Sequence, residues 1–567
     1  MNGIANLEKD SQFSSPATDP TQGGVLLMTR NEQRALDKAW TESTGLLLSV
    51  LMEQAAQAIT YFVLDLIMSR DAAADLRTGI SPDLCPLDSQ RISAPKQILF
   101  LVGAGQNGGD AWASARQLLP YGHDVMVADL SGGRDLPPEA AANKLAFESL
   151  QGKIISASDS DLGQLAVAPD FIIDAIFGTG FQNRPLSRDL ASSFKLINKM
   201  AAKAQAVIAI DIPSGVDCDT GAAITEAIQA DYTVSFGRPK VGLYSAPGCK
   251  LAGKVITAPI SMPEYWQEQK LTKVYERSRV LHIAITDEWL QIRKIERRQD
   301  DHKGSFGRGL ILGGSSGMAG AVILAARAMM EAGSGYTYVR SSPDILPLVA
   351  KSLPSALSAE INPDTDPLEL LRQIDAVAIG PGSGKSSWLQ LLPSLLYEAP
   401  QIVVDADALN YLSALKSWSE LTQKRVESGL PPAVLTPHPG EFVRLAPELA
   451  ERLSSDRAGA ALALARKSGC VVVLKGFATV TALPTGICFY NTSGNNGLGK
   501  AGSGDVLTGL ICSLLAQGYP PEVAAPAGVY LHGLASDLAY SALGTTRSIT
   551  PELLLTYLSD SFRRVGW

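Results

Sequence analysis

The sequence predicts an α/β protein with two domains, each built on a parallel sheet that helices cover on both faces. At 567 residues the chain is too long for a single hydrophobic core. Short apolar runs alternate with helix-length segments in two separate series, and the runs are apolar on both faces, as in buried parallel strands. The two series share no motif order, so we expect a fusion of two different domains.

In the first half, residues 1–26 are polar and predict a disordered tail. An amphipathic pattern from residue 27 predicts two helices, and the polar stretch 78–95 predicts a surface loop. These elements precede a sheet domain that we expect to end at residue 262. Its strands are predicted over 97–105, 123–130, 171–178, 206–215 and 232–237.

A charged stretch follows Pro263 and predicts a linker over 263–284, so that the second domain covers 285–567. A long helical tail is predicted from Asp505 onward. The strands of this domain are predicted over 309–314, 336–340, 376–382, 401–407, 433–441 and 470–476.

Composition excludes several classes of protein. The net charge of −8, with no basic face, argues against nucleic-acid binding. The six cysteines show no metal-binding spacing and indicate reduced thiols in the cytosol. The start of the chain has no signal-peptide pattern, and no apolar stretch approaches the roughly 18 to 20 residues that span a bilayer. We therefore expect a soluble, cytoplasmic protein without a membrane partner.

A glycine-rich turn, GAGQNGGD over 103–110, joins the first predicted strand to a helix. Such a turn lets backbone N–H groups and the helix N-terminus face an anion. Asn107 and Asp110 add side-chain oxygens to the turn. A tight packing turn is the competing interpretation.

Two further strand ends carry polar side chains, Asp174 in DAIFGTGF and Asp211 in DIPSGVD, which also holds Ser214 and Asp217. Ligands of open parallel sheets bind at the carboxyl ends of strands, so these groups can converge. Carboxylate, amide and hydroxyl oxygens suit an alkali or alkaline-earth cation. A single Asp at a strand end is more often a helix cap.

Residues 28–260 resemble the NAD(P)H-hydrate epimerase domain, through LMEQAAQA, GAGQNGGDA, DAIFGTGF, IDIPSGVD and FGRPKVGLY in that order. The resemblance implies a Rossmann-like three-layer fold that binds hydrated NAD(P)H and K⁺. Asp211 is the catalytic candidate, with Asp217 also open. Two positions depart from the family pattern, Gln106 and Ala111. The implied K⁺ ligands are Asn107, Asp174 and Ser214; the implied hydrate contacts are Gln106, Asn107, Gly108, Gly109, Asp110, Gly178, Thr179, Gly180, Phe181, Gln182, Asn183, Arg184 and Asp211.

The strongest pattern in the second half is the turn Gly502-Ser503-Gly504-Asp505, which opens an apolar helix. Consecutive N–H groups at that helix start stabilise negative charge on a transferring phosphoryl group. Asp505 is placed to take the proton of an attacking hydroxyl. The alternative interpretation is that Asp505 only caps a buried helix.

Other strand ends in this half are consistent with a nucleotide cleft. Lys475 and Thr479 follow a buried strand and suit a phosphate, and His438 lies in a loop that favours ligand contact. Asp405 and Asp407 follow another strand, where either residue can cap the next helix. The segment GPGSGKSS (380–387) is not a P-loop, because Ile379 occupies the position of the required glycine.

Residues 285–560 resemble the ADP- or ATP-dependent NAD(P)H-hydrate dehydratases, which have the ribokinase-like fold. Ribokinase-like kinases share the GxGD turn, whereas MAGA, GPGSG, TPHPGE and KGFAT are dehydratase-like. The resemblance implies Mg²⁺ with the nucleotide and Asp505 as the base. The implied hydrate contacts are Ala321, Gly384, His438 and Asp505; the implied nucleotide contacts are Lys475, Gly476, Phe477, Ala478, Thr479 and Gly504.

The predicted function is therefore metabolite repair by a bifunctional enzyme. One domain would interconvert the R and S hydrates, and the other would dehydrate the S form with consumption of ADP or ATP. We also expect a homo-oligomer. The alternatives are a vitamin or sugar kinase fused to a non-catalytic module, and a binding scaffold of the kind found in RNA decapping.

Overall fold

Seven parallel strands form the sheet of an N-terminal unit that contains Leu26–His282. The structure is a computed structural model that describes residues 19–68, 95–156, 168–360 and 370–567. The strands are β2 Gln97–Val102, β3 Asp124–Asp129, β4 Lys153–Ser156, β5 Phe171–Ala175, β6 Ala206–Ile210, β7 Tyr232–Phe236 and β8 Lys254–Ala258. Their order, β4-β3-β2-β5-β6-β7-β8, reverses its winding between β2 and β5, where open α/β sheets bind ligands.

Helices cover both faces of this sheet, as the alternation of apolar runs predicts. The first helix begins at a capping box formed by Thr29 and Glu32, and it ends at Gly45 in the left-handed conformation. The helices are α1 Arg30–Thr44, α2 Leu48–Met68, α3 Gln106–Leu118, α4 Pro138–Ser149, α5 Arg188–Ala201, α6 Gly248–Leu251 and α7 Glu264–Ser278.

Helix α2 corrects one prediction. It has 21 residues and a mean hydropathy of 1.3, so among the described residues one helix is long and apolar enough to cross a membrane. Half of that apolar window is buried within the fold. Leu51, Ala55, Ile59 and Val63 belong to one core cluster with strand residues such as Phe100, as in a core helix.

An eleven-stranded sheet forms the core of a C-terminal unit that contains Ile283–Leu453 and Ala460–Trp567. Its order is β1-β9-β18-β17-β16-β15-β14-β13-β10-β11-β12. The strands are β1 Val25–Leu27, β9 Leu281–Ala284, β10 Arg308–Leu312, β11 Tyr336–Ser341, β12 Leu357–Glu360, β13 Ala376–Ile379, β14 Ile402–Val404, β15 Val434–Leu435, β16 Val471–Leu474, β17 Val480–Ala482 and β18 Ile487–Tyr490.

The helices of this unit hold the Gly-Ser-Gly-Asp turn against the sheet. The helix Ser503–Ala516 packs closely on the helix Ala319–Glu331 at Gly509, because a Cβ added to Gly509 would lie 1.9 Å from the carbonyl oxygen of Ala325. The helices are α8 Asp287–Ile292, α9 Ala319–Glu331, α10 Leu346–Ser352, α11 Leu392–Glu398, α12 Ala406–Ala414, α13 Trp418–Glu427, α14 Pro439–Leu445, α15 Ala450–Ser455, α16 Arg457–Ser468, α17 Ser503–Ala516, α18 Pro521–Leu543 and α19 Pro551–Arg564.

Two boundaries differ from the prediction. The disordered tail was predicted too long, because residues 19–25 belong to the C-terminal unit, where the Arg293 guanidinium donates to the carbonyl oxygens of Asp19 and Gln22 at 2.6 and 2.9 Å. The predicted linker is also wrong, because residues 264–278 form helix α7 of the N-terminal unit. That helix packs on α1 through the edge-to-face rings of Trp40 and Trp266. Residues 1–18 and most of the predicted loop 78–95 lie outside the described residues.

The predicted mixed α/β fold with mainly parallel sheets is confirmed. Each predicted strand overlaps an observed one, and the helical tail is present as α17, α18 and α19. The prediction missed the short edge strands β1, β4, β8 and β12, and it missed β9, which lies within the predicted linker. It also missed the antiparallel strands β17 and β18 beside β16.

Candidate active sites

A cavity of about 700 Å³ opens in the N-terminal unit beside the ends of β2, β5 and β6. Its position is the one that the reversal of winding predicts. The predicted hydrate contacts that line it are Gln106, Asn107, Asp110, Gly178, Thr179, Gly180, Phe181, Arg184 and Asp211. Gly108, Gly109, Gln182 and Asn183 do not belong to its wall.

Two of these glycines are buried packing positions. A Cβ on Gly108 would lie 2.1 Å from the carbonyl oxygen of Gly103, and one on Gly109 would lie 2.5 Å from the Met52 methyl group. The competing interpretation, a tight packing turn, therefore describes Gly108 and Gly109. The cavity is reached by the side chains of the same turn, those of Gln106, Asn107 and Asp110.

Asp211 is held by a fully buried lysine. The Lys240 ammonium lies 2.5 Å from Asp211 Oδ1 and also donates to the carbonyl oxygens of Phe236 and Arg238 at 3.0 and 3.2 Å. Asp211 has φ +63°, a strained conformation for a residue with a side chain. Its backbone amide donates to the carbonyl oxygen of Val234. Asp211 is thus an ion-paired carboxylate fixed at the cavity wall.

Two more carboxyl groups face the same cavity, from α3 and from α1. Burial raises the pKa of Asp110 well above its ordinary value, and the charges of Asp211 and Asp37 raise it further. Burial also raises the pKa of Asp37, whose Oδ1 accepts from the Gln33 amide at 2.8 Å. A carboxylate held by an ammonium group and two carboxyl groups of raised pKa therefore line one cavity, which is the kind of arrangement that acid–base pairs use.

The three predicted K⁺ ligands converge on the turn after β5. Asp174 is fully buried and accepts from the hydroxyl and the amide of Ser214 at 2.5 and 2.7 Å. The Asn107 amide donates to the Phe177 carbonyl oxygen at 3.0 Å, and the Phe177 amide donates to Ser214 Oγ at 2.8 Å. Burial raises the pKa of Asp174 to about 6.

Asp217, the other candidate for proton transfer, has a structural position. Its Oδ1 accepts from the amides of Asp219 and Thr220 at 3.0 and 3.1 Å, which closes a turn. Its Oδ2 lies 3.3 Å from the buried Arg30 guanidinium, which also binds the carbonyl oxygens of Thr179 and Phe181. Asp217 and Arg30 therefore shape the 178–184 loop, and Asp211 lines the cavity.

In the C-terminal unit, the turn Gly502–Asp505 opens α17 as predicted. Gly502 has φ +93°, which favours glycine, and Asp505 lies in the first helical turn. Asp505 has no hydrogen-bond or ion-pair partner in the part of the chain that the structure describes. Burial raises its pKa to about 7, and the charge of Asp405 raises it further against the opposing charge of Lys475.

Lys475 is anchored by Asp405. Its ammonium lies 2.7 Å from Asp405 Oδ1, and Asp405 Oδ2 accepts from the Thr508 hydroxyl at 2.6 Å. Burial alone would raise the pKa of Asp405, but the charge and hydrogen bond of Lys475 bring it below its ordinary value. Asp405 makes no helix-capping hydrogen bond, so the cap prediction is wrong for this residue.

The other predicted hydrate contacts lie on neighbouring loops. The Gly384 amide donates to Asp407 Oδ2 at 2.7 Å, so Asp407 holds the 380–384 loop. A Cβ on Gly382 would lie 2.8 Å from the Ala321 Cβ, which places α9 against that loop. His438 Nδ1 accepts from the amides of Gly440 and Glu441 at 3.0 and 3.3 Å, and the ring is half exposed.

The nucleotide segment after β16 is a tight turn. The amide of Gly476 donates to the Thr479 hydroxyl oxygen at 3.3 Å, and that hydroxyl donates to the Gly476 carbonyl oxygen at 3.0 Å. Ala478 has φ +54°, and the Phe477 ring is 65% exposed. A Cβ on Gly504 would lie 3.4 Å from Lys475 Nζ, so this turn and the start of α17 meet at Lys475.

Sequence reasoning missed three side chains. Lys240 stands within the quoted motif FGRPKVGLY but was not assigned a role, and Asp37 stands on α1 without any local motif. Asp405 was noticed only as a cap. In each half a lysine follows the end of a strand, Lys240 in the first and Lys475 in the second. This local pattern could have indicated that each lysine pairs with a carboxylate at a neighbouring strand end.

Fold and sites together define a two-domain enzyme, with a Rossmann-like binding unit and a ribokinase-like unit that carries a carboxylate–lysine site. Residues 48–242 match the family described as YjeF-related protein N-terminus, and residues 309–559 match NAD(P)H-hydrate dehydratase. The chain belongs to the bifunctional NAD(P)H-hydrate repair enzymes. The predicted family and its two enzyme domains are confirmed, in preference to the kinase and scaffold alternatives.

Relatives from distant organisms carry both halves. The chain is 38% identical to the bifunctional NAD(P)H-hydrate repair enzyme of Moorella thermoacetica, over 81% of this chain and 86% of that protein. It is 31% identical to the enzyme of the same name from Thermofilum pendens, over 94% and 95%. It also aligns with the crystal structure of ADP/ATP-dependent NAD(P)H-hydrate dehydratase from Bacillus subtilis, at 31% identity and a TM-score of 0.43, over 50% of this chain and 98% of that one.

Proposed function

We propose that the N-terminal unit interconverts R and S hydrates of NAD(P)H, and that the C-terminal unit dehydrates the S hydrate with consumption of ADP or ATP. The observation that carries the proposal is the placement of one candidate base in each site. Asp211 is ion-paired at the wall of a ligand-sized cavity, and Asp505 stands unpaired beside the anchored Lys475.

In the N-terminal unit, Asp211 and Asp110 divide the acid–base work. The carbon that inverts carries both a hydroxyl group and the ring nitrogen, so it can invert when its bond to nitrogen opens and closes again. Asp211 accepts the hydroxyl proton, and Asp110, with its raised pKa, supplies a proton to the nitrogen. Ring closure on the other face returns both protons, so that the reaction needs no other reactant.

K⁺ fits the predicted ligands on the chemistry of their donors. Asn107, Asp174 and Ser214 supply oxygen atoms around the Phe177 carbonyl oxygen, the hard donor set that an alkali cation takes. Bound there, K⁺ would balance the buried Asp174 carboxylate and fix the 176–178 turn. Melting temperature in KCl against choline chloride tests this, and Asp174→Asn should remove the difference.

In the C-terminal unit, Asp505 takes the proton of the hydrate hydroxyl. The oxygen of that hydroxyl attacks the terminal phosphorus of the nucleotide at the same time. The amides at the start of α17 and Lys475 stabilise the charge on the transferring phosphoryl group. Phosphate then leaves, and the adjacent carbon loses a proton, so water is removed overall and the reduced nicotinamide ring is restored. Mg²⁺ would enter with the nucleotide and would neutralise charge on its phosphate oxygens.

The experiment is to incubate the full chain with ADP or ATP and a mixture of the two epimers. Complete recovery of the reduced-nicotinamide absorbance requires both units, whereas recovery of only the S fraction indicates an inactive epimerase. No recovery with either nucleotide would contradict the proposal. Mass measurement in solution tests the homo-oligomer, which we also propose.

A further inference from the structure

The peptide unit that joins Ser503 to Gly504 lies in the first turn of α17, next to Lys475. The amides of Gly504 and Asp505 make no hydrogen bond with any described group, whereas those of Ser503 and Val506 donate to backbone carbonyl oxygens, both at 3.2 Å. A Cβ on Gly504 would lie 3.4 Å from Lys475 Nζ. The Gly504 N–H group is therefore available to an anion that Lys475 also attracts.

His532 contacts the opposite end of the same peptide unit. Its Nε2 lies 3.0 Å from the Ser503 carbonyl oxygen, and its ring is buried on α18. Burial lowers the pKa of His532 to about 4, so the ring is neutral and carries one N–H group at neutral pH. A carbonyl oxygen only accepts hydrogen bonds, so that hydrogen lies on Nε2 and is donated to Ser503.

A planar trans peptide directs its C=O and N–H groups to opposite sides. A hydrogen bond to the Ser503 carbonyl oxygen therefore fixes the direction in which the Gly504 N–H group points. It also polarises the peptide, because hydrogen bonds linked in a chain strengthen one another. His532 can thus act on an anion at the Gly504 amide through a single peptide unit.

Helix α18 is held against the glycine-rich loop that precedes this turn. Asp537 accepts from the backbone amide of Gly494 at 2.7 Å. Gly533, the neighbour of His532, contacts the same loop closely, since a Cβ on Gly533 would lie 2.3 Å from Ser493 Oγ. The position of His532 behind the turn therefore depends on several contacts between α18 and the loop.

We infer that His532 is a positioning residue of the dehydration reaction: its hydrogen bond to Ser503 orients and polarises the Gly504 amide, which stabilises the transferring phosphoryl group. This inference rests on the proposed function and deepens it, because it adds a residue of α18 to the phosphate-binding turn of α17. The competing role is purely structural, since a buried ring N–H group needs an acceptor in any protein. The two roles differ in whether loss of the hydrogen bond lowers the rate or only the stability.

The first test removes the N–H group and keeps an apolar side chain in its place. In His532→Met, kcat of dehydration should fall about tenfold, with KM for the hydrate within about twofold. Direct loss of an oxyanion-hole donor costs about 10²- to 10³-fold, and His532 acts on the donor only indirectly. His532→Gln can place an amide N–H group near the position of Nε2, so kcat should stay within about threefold of the wild type. An unchanged kcat in His532→Met, or an equal loss in both variants, would overturn the inference.

Leu531→Ala is the matched control for a purely structural role. Leu531 is the preceding residue on α18, is fully buried and has no hydrogen-bonding group in its side chain. Its truncation leaves a cavity, so the melting temperature should fall at least as far as in His532→Met, while kcat stays within about twofold. If kcat falls in both variants in proportion to the melting temperature, His532 is a structural residue.

Binding of ADP and of adenosine keeps this inference separate from the proposed function. Calorimetric titration of the full chain with Mg²⁺ present should show ADP binding weakened about three- to tenfold in His532→Met, and adenosine binding within about twofold. Only ADP carries phosphate for the Gly504 amide, and the N-terminal unit is the same in both proteins. Equal ADP affinity in the two proteins would overturn the inference. A selective loss for ADP, in a wild type that does not dehydrate the hydrate, would contradict the proposed function and support the role of His532 at the phosphate-binding turn.

Discussion

The two sites use the same chemical groups, a lysine that is ion-paired to one of several carboxylates, with opposite pairing. In the N-terminal unit Lys240 pairs with the candidate base itself, Asp211, at 2.5 Å. In the C-terminal unit Lys475 pairs with Asp405 at 2.7 Å, and the candidate base Asp505 has no partner among the described residues.

The difference follows from what each reaction requires. Moving protons onto and off a neutral ring requires a carboxylate that is already charged beside an acid that is still protonated. Transfer of a phosphoryl group requires a fixed cation next to the phosphate and a base that becomes charged near neutral pH. Asp405 orients Lys475 for the first task; for the second, burial raises the pKa of Asp505 and the charge of Asp405 raises it further.

Loss of the unpaired base should have the largest effect. We expect Asp505→Asn to lower kcat of dehydration by about 10³-fold or more and to leave epimerisation unchanged. Nucleotide-dependent recovery of absorbance and the epimer ratio measure the two activities. Burial raises the pKa of Asp505 from 3.8 to about 7, so the stability that its protonated form contributes is lost as the pH rises between these two values. The variant should therefore unfold at the same or a higher temperature than the wild type at pH 8. A rate within tenfold of the wild type would refute the role as base.

Loss of the paired base should affect both rate and stability. Asp211→Asn should lower epimerisation by about 10²-fold or more and reduce the free energy of unfolding by about 3 kcal/mol, because it leaves Lys240 charged and buried. In Asp211→Asn/Lys240→Met, thermal unfolding should recover while epimerisation stays low. If the double variant regains activity, Asp211 is a structural residue.

The pH dependence of dehydration should reveal the same contrast. Since the raised pKa keeps Asp505 protonated below about 7, kcat/KM should fall about tenfold per pH unit as the pH drops below that value. Asp407→Asn removes one of the charges that raise this pKa, so its profile should shift toward lower pH. A flat profile from pH 5 to 8 would be incompatible with Asp505 as the base.

Two departures from the family pattern should have the smallest effects. Ala111 is fully buried in the core cluster and does not line the cavity, so Ala111→Gly should cost about 1 kcal/mol of stability without changing epimerisation. Gln106 does line the cavity, and Gln106→Asn keeps its amide, so we expect a change in KM below about threefold. Denaturant titration and epimerisation kinetics measure the two effects.

Much of the fold could be predicted from the sequence, because buried parallel strands leave continuous apolar runs. The strands β17 and β18 were missed, since runs of three and four residues are too short to show a strand period. The segment 19–25 was predicted to be disordered because its partners, Trp289 and Arg293, lie more than 260 residues away in the chain.

By itself the sequence determined the two domains, the family and the glycine turns, because these depend on local patterns of apolar residues and on short motifs. Only the tertiary structure decided which carboxylate each lysine neutralises. Asp211 and Lys240 are 29 residues apart, and Asp405 and Lys475 are 70 apart. Their pairing arises where separate strands end at one edge of a sheet, because parallel strands that are far apart in the chain bring their ends together there.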